Sequence, residues 1–99
     1  MHVISRKKLI AFYEQPGQGD AKGPLEAWYY EARNAQWGSP ADIKERYRSA
    51  SIIGDNRVVF NIAGNKYRLI VRINYASKTV FVRFIGTHKE YDKINAEEA

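Results

Sequence analysis

Apolar side chains recur at helical spacing through the first half of this chain and at every second position through the rest. That change of period, near Ser51, divides the chain into a helical part and a sheet part. Met1 to Ile4 reads as a short opening strand. Ser5 is placed to cap a helix over Arg6 to Glu14, with Leu9, Phe12 and Tyr13 on one face. Gln15 to Gly23, with Pro16 and three glycines, is a loop. Gly23-Pro24 opens a second helix, because proline suits a first turn, and Leu25, Trp28, Tyr29 and Ala32 repeat at helical spacing to about Gln36. Gly38 stops it. Ser39 caps a third helix with Pro40 at its first position and Asp42 in its first turn, and Ile43 and Tyr47 make its buried stripe.

In the second half, Ser51 to Ile53 is a short strand and Gly54-Asp55-Asn56 a turn. Arg57 to Ile62, Tyr67 to Tyr75 and Thr79 to Ile85 follow as strands joined by Ala63 to Lys66 and Ala76 to Lys78. Helices followed by a meander predict an α+β fold, with helices laid on one face of a mostly antiparallel sheet. A chain of 99 residues is expected to make one domain over 1–99. Ala96 to Ala99 reads as a frayed tail.

Strand alternation assigns faces. Tyr67, Leu69, Val71, Ile73 and Tyr75 form one wholly apolar or aromatic side, so they face the helices together with Val58, Phe60, Ile62, Val80, Val82 and Phe84. A four-residue loop at Ala63 to Lys66 then pairs Ile62 with Tyr67 and Val58 with Val71, and on the opposite face Asn61 with Arg68, Val59 with Ile70 and Arg57 with Arg72. Pairing Tyr75 with Val80 in the second hairpin sets Arg72 opposite Arg83, Ile70 opposite Ile85 and Arg68 beside Thr87. Arg57, Arg72 and Arg83 would thus form a row across three strands, over an apolar floor of Val59, Ile70 and Ile85.

Like charges directly opposed in a sheet are destabilising by about 0.2–1 kcal/mol per pair. Two explanations stand side by side. Each guanidinium swings to a carboxylate such as Glu45 or Asp55, or into solvent; or the face binds a polyanion, since guanidinium groups take phosphate bidentately. Charge favours the second: 16 Lys and Arg against 11 Asp and Glu give +5, and 13% of residues are aromatic. With no cysteine, disulfides, Cys-ligated zinc and cysteine nucleophiles are excluded, and a reducing cytoplasm is the expected location. Two histidines without a His/Asp cluster predict no metal site and no cofactor. No apolar stretch approaches the roughly 20 residues that span a bilayer, and no signal-peptide core follows the basic Arg6-Lys7-Lys8, so no membrane partner is expected.

After the last strand comes Gly86-Thr87-His88-Lys89-Glu90-Tyr91-Asp92, in which Gly86 frees the backbone to turn and one helical turn sets His88 and Tyr91 on the same side. His88 lies near Lys89, Arg68 and Lys66; His2, in the opening strand, reads as structural or solvent-exposed. These residues also carry a resemblance. Gly64-Asn65-Lys66-Tyr67-Arg68 and Thr87-His88-Lys89-Glu90-Tyr91-Asp92 resemble the HigB family of type II toxin–antitoxin toxins, within the RelE-like superfamily. The likeness is close over about residues 58 to 94, and in the helical half it extends to length and order of elements, while the loop Gln15 to Gly23 departs from it.

The resemblance implies a small metal-independent endoribonuclease that enters the ribosomal A site and cuts mRNA, held inactive by a HigA-like antitoxin with a helix-turn-helix domain. By position it makes Arg68, His88 and Tyr91 catalytic, with Lys66 in the turn before the arginine. Arg57, Asn61, Lys66, Arg72, Arg83 and Lys89 are the expected RNA-binding residues. The chemistry is compatible: attack by a neighbouring 2′-OH needs a base, cations at the phosphate and an acid for the 5′-oxygen. Two rivals use the same residues, a non-catalytic RNA-binding module stacking bases on Trp28, Tyr75 or Tyr91, and an interaction protein whose basic face docks an acidic partner.

Overall fold

The structure, a computed structural model, describes residues 1–99. Strand β1 (His2–Ile4) leads into α1 (Arg6–Tyr13), α2 (Lys22–Asn34) and α3 (Pro40–Arg46). Strands β2 (Ser51–Ile53), β3 (Arg57–Ile62), β4 (Tyr67–Asn74) and β5 (Thr79–Thr87) follow, and α4 (His88–Tyr91) comes last. The five strands form one sheet in the order β1-β5-β4-β3-β2, antiparallel except for β1, which runs parallel to β5. This is the expected α+β layout.

The local signals behave as their chemistry requires. The Ser5 hydroxyl accepts from the Lys7 N–H and starts α1. Helix α2 starts at Lys22, before Gly23-Pro24, because a 3-10 turn over Gly19–Ala21 leads directly into it. Ser39 makes no side-chain cap in α3; the Asp42 carboxylate instead accepts the Gly38 N–H at 2.8 Å. The core lies between these helices and one face of the sheet, where Leu9, Phe12, Leu25, Trp28 and Ile43 meet Val58, Phe60, Tyr67, Leu69, Val71 and Ile73. Phe60 is its centre, with the rings of Tyr47, Trp28 and Trp37 at 5.0, 5.5 and 6.1 Å.

The β3–β4 register is the predicted one, from Ile62 opposite Tyr67 to Arg57 opposite Arg72. The second hairpin is not. Its loop takes in Tyr75, so Ile73 pairs with Val80 and Arg72 with Phe81. A bulge then leaves Arg83 without a partner, and beyond it Ile70 pairs with Phe84, Leu69 with Ile85 and Arg68 with Gly86. Alternation alone accepts either register at the hairpin, since a two-residue shift keeps every side chain on its face. The bulge moves Ile85 to the core side and Phe84 to the other. Gly86 is consequently a strand residue and makes no turn: a Cβ there would lie 2.6 Å from the Phe84 ring.

The face away from the helices is also not open. Val59 and Ile70, outside the main core, are 3% and 0% exposed. The C-terminal residues, expected to fray, fold back instead. The main-chain oxygen of Ala99 accepts from Arg57 Nε at 3.0 Å, Arg57 Nη2 at 2.8 Å and Arg83 Nε at 3.3 Å. Asp55 accepts from Arg57 Nη1 at 2.7 Å and Arg72 Nη2 at 3.3 Å. The three arginines do share a face, as two neighbours in register and one at the bulge. Their repulsion is relieved by Asp55, one of the two carboxylates the sequence offered, and by Ala99.

Arg57, only 6% exposed, therefore acts as a structural clamp between the β2–β3 turn and the C-terminus and is not presented to solvent. Arg57→Ala should lower the unfolding free energy by about 2 kcal/mol, since hydrogen bonds from a buried cation are lost, and lower Tm by roughly 10 °C. Arg83→Ala, from an exposed guanidinium on the same oxygen, should cost under about 1 kcal/mol. Thermal melts of the two variants check the order; equal losses would contradict the clamp.

Candidate active site

Strand alternation points Arg68 away from the core, and Gly86 opposite it has no side chain to crowd that place. Where β5 ends, Thr87 forms a capping box with Glu90: the Thr87 hydroxyl accepts the Glu90 N–H at 3.1 Å and the Glu90 carboxylate accepts the Thr87 N–H at 2.8 Å. That box starts α4 immediately after the strand. The His88 N–H also donates to the Lys66 carbonyl at 3.2 Å, which ties α4 to the β3–β4 turn.

Three of the predicted residues come together there. The Arg68 guanidinium carbon lies 5.6 Å from the centre of the Tyr91 ring. His88, one turn back on α4, sets its Nδ1 at 3.3 Å from Asp92 Oδ2, with the two side chains 50% and 61% exposed. An imidazole bonded at Nδ1 to a carboxylate is oriented with Nε2 free to meet a substrate. Asp92 is a member of this cluster that the sequence reading gave no role, although its i, i+4 spacing from His88 was the available signal.

Arg68 Nε and Asn61 Oδ1 are both buried without a hydrogen-bond partner, although the two residues face each other across β3 and β4. A buried guanidinium nitrogen and a buried amide oxygen left unpaired in neighbouring positions are costly. Asn61 uses its amide nitrogen on the Ser49 carbonyl at 3.3 Å, which fixes the side chain.

The other predicted residues divide. Lys89 is exposed on α4, beside the cluster. Lys66 is turned away from it: its ammonium and the Tyr67 hydroxyl both donate to the Asp20 carboxylate. The Lys66 bond, then that of Tyr67, holds Asp20 below the usual carboxylate range, and Asp20 in turn raises Lys66, so Lys66 is a fixed cation and no general base. Burial, then Asp20, pushes the Tyr67 hydroxyl up. Arg72 lies four residues along β4 from Arg68, about 13 Å at the rise of a strand. Arg83 lines a groove with Lys8 of α1 and Gln15 just beyond that helix. No helix is long and apolar enough to cross a membrane.

With this geometry in hand, comparison with known proteins decides the family. The family model for HigB toxins, described as the RelE-like toxic component of a toxin–antitoxin system, matches residues 21–94. This chain belongs to the HigB toxin family. It is 44% identical over 99 residues to an mRNA interferase HigB of Escherichia coli O6:H1, covering 95% of this chain and 91% of that one. It is 30% identical over 98 residues to the mRNA interferase toxin HigB of Escherichia coli strain K12, covering 97% of this chain and 92% of that one. The resemblance read from the Lys66 and His88 motifs is thereby shown, and the matched region includes the whole Arg68, His88 and Tyr91 cluster.

Asp20, in the loop before α2, supplies a pH test. A carboxylate whose pKa is lowered on folding stabilises the native state above its unfolded value, about 3.8, and loses that effect as pH falls through its folded value. Asp20→Asn should therefore melt below the wild type at every pH above about 5, and the gap should close as pH drops under about 3.8. Melting curves from pH 2 to 8 test this. A gap that stays constant into acid would show that the ion pair does not hold the loop.

Proposed function

We propose that this HigB-family protein is an endoribonuclease toxin that cuts mRNA in the ribosomal A site without a metal, and that a helix-turn-helix, HigA-like antitoxin silences it in the cytoplasm. The observation that carries the proposal is the buried, unpaired Arg68 Nε, on a guanidinium that lies over Tyr91 of the same short helix that carries His88 and its bond to Asp92. Such an arrangement suits a phosphodiester: the guanidinium takes a phosphate oxygen, the imidazole takes a proton, and the phenol orients the ribose or the leaving oxygen.

In the step that follows from these roles, His88 removes the 2′-OH proton and the 2′-oxygen attacks phosphorus. The P–O5′ bond breaks, and the departing oxygen gains a proton from Tyr91 or water. The products are a 2′,3′-cyclic phosphate and a 5′-hydroxyl end. Arg68 meets the charge that grows on the non-bridging oxygens. A surface site with one imidazole and few strong bases depends heavily on orientation, which a ribosome holding the message supplies. The names of the Escherichia coli relatives, mRNA interferases, support the substrate. Lys89, Arg72 and Arg83 are exposed cations within the reach of neighbouring phosphates.

Arg68→Ala and His88→Ala should each slow cleavage of ribosome-bound mRNA by about 10²–10⁴-fold. Both should melt within about 5 °C of the wild type, because neither removal opens a cavity in the core. Asp92→Asn should slow the reaction by a smaller factor, through a misoriented imidazole. Toxin stripped with EDTA and then freed of the chelator should cut ribosome-bound mRNA at the untreated rate. An intact message with the wild-type protein would instead favour an RNA-binding module, and His88→Ala cutting at the wild-type rate would remove His88 from the mechanism.

A further inference from the structure

The largest cleft on the molecule lies at the other end of the sheet from Arg68 and His88. It has a volume of about 350 Å³ and is lined by Asn56, Arg72, Asn74, Tyr75 and Phe81, with Ile73 and Ala76. This is the lower limit of the size range of ligand pockets, suited to a small planar group.

The composition of the cleft narrows what that group is. Arg72 and Phe81 are direct cross-strand partners, so the guanidinium and the ring stand side by side on one face. That pairing exists because the hairpin is shifted from the alternation-matched register that would have placed Arg83 there. Phe81 is half-buried, which leaves part of its ring in reach. Asn74 uses its Oδ1 to accept the Ser77 N–H at 3.0 Å, and its amide nitrogen remains a donor. Asn56 is held in the left-handed region at φ 59° and gives its main-chain oxygen to the Ile73 N–H at 2.9 Å, so its exposed side-chain amide keeps both donor and acceptor. Asp55 reaches Arg72 at 3.3 Å but also binds Arg57, so the three side chains together retain one positive charge.

We propose that this cleft binds one unpaired RNA nucleobase, stacked on Phe81, with the Asn56 amide on its edge and Arg72 on an adjoining phosphate. An aromatic ring, an arginine plane and amides are the elements by which single-stranded RNA is held. The inference rests on the ribonuclease reading above and adds a second contact with the same substrate class. The two ends are about 13 Å apart along β4, roughly four nucleotides at a stacked rise of 3.4 Å, so one message can reach both. Ala99, docked between them, is then crossed by the strand. The cleft thus gives a choice of base near the cut that the His88 end, which meets only ribose and phosphate, does not supply.

The test uses the full chain, isotope-labelled for NMR, and a short 2′-O-methyl oligoribonucleotide, which binds like RNA but lacks the nucleophile. Resonances of the Asn56 side-chain amide and of Arg72, Asn74 and Phe81 should shift together with those of Arg68 and His88. Phe81→Leu, which removes the stacking plane, and Asn56→Gly, which keeps the left-handed backbone, should each weaken binding about tenfold. Melting curves confirm that both variants fold. Arg72→Ala should flatten the salt dependence by about one phosphate contact. Shifts confined to the Arg68 and His88 end, or full-strength binding by both cleft variants, overturn the cleft and leave the ribonuclease reading standing. No shift at either end, with the ribosome-bound message uncut, overturns both.

Discussion

Strand β4 must serve two surfaces with one backbone, and the rest of the molecule is arranged around that constraint. Successive side chains of a strand point to opposite faces, so Tyr67, Leu69, Val71 and Ile73 enter the core while Arg68, Ile70 and Arg72 go the other way. The core half fixes the register with β3 through Phe60 and the aromatic rings around it. Once that register is set, Arg68 must lie opposite Asn61 and Arg72 opposite Arg57, whether or not these neighbours suit each other electrostatically.

The electrostatic conflict is settled by two acceptors from outside the strands. Asp55 comes from a turn in which both Asp55 and Asn56 take positive φ, 58° and 59°, a conformation that these residue types tolerate better than most. Ala99 comes from the far end of the chain. Both reach Arg57, which accounts for a guanidinium that is almost entirely removed from water. Arg68 has no such acceptor. Its Nε is buried and unpaired, and its guanidinium lies over the Tyr91 ring. The difference between the two arginines is that the satisfied cation holds the fold, while the unpaired nitrogen of the other is the feature on which the proposed chemical role rests.

His88 depends on the same geometry at one remove. The Thr87–Glu90 box forces a helical turn at the end of β5, and the His88 N–H bond to the Lys66 carbonyl binds that turn to the start of β4. Lys66, in turn, is held by Asp20, so the loop before α2 braces the turn that braces the site. The family model matches residues 21–94, and Asp20 stands one residue before that span.

Sequence by itself determined the order of elements, the α+β class, the core faces of β3 and β4 and of β5 up to its bulge, the β3–β4 pairing and the motifs around Arg68, His88 and Tyr91, because all of these lie in short-range period, local turn chemistry and the residues themselves. It did not determine the second hairpin. A shift of two residues preserves alternation, so only the packing of the loop and the bulge at Arg83 chose between Arg83 and Phe81 as the partner of Arg72. Nor could it show that Asp20 meets Lys66, 46 residues away, or that Ala99 docks on Arg57, 42 residues away, since no local pattern records a contact closed by the whole chain. Tertiary structure alone decided which arginines are buried and bonded and which one keeps an unpaired nitrogen, because that depends on what the fold brings to each guanidinium and not on the residues beside it in sequence.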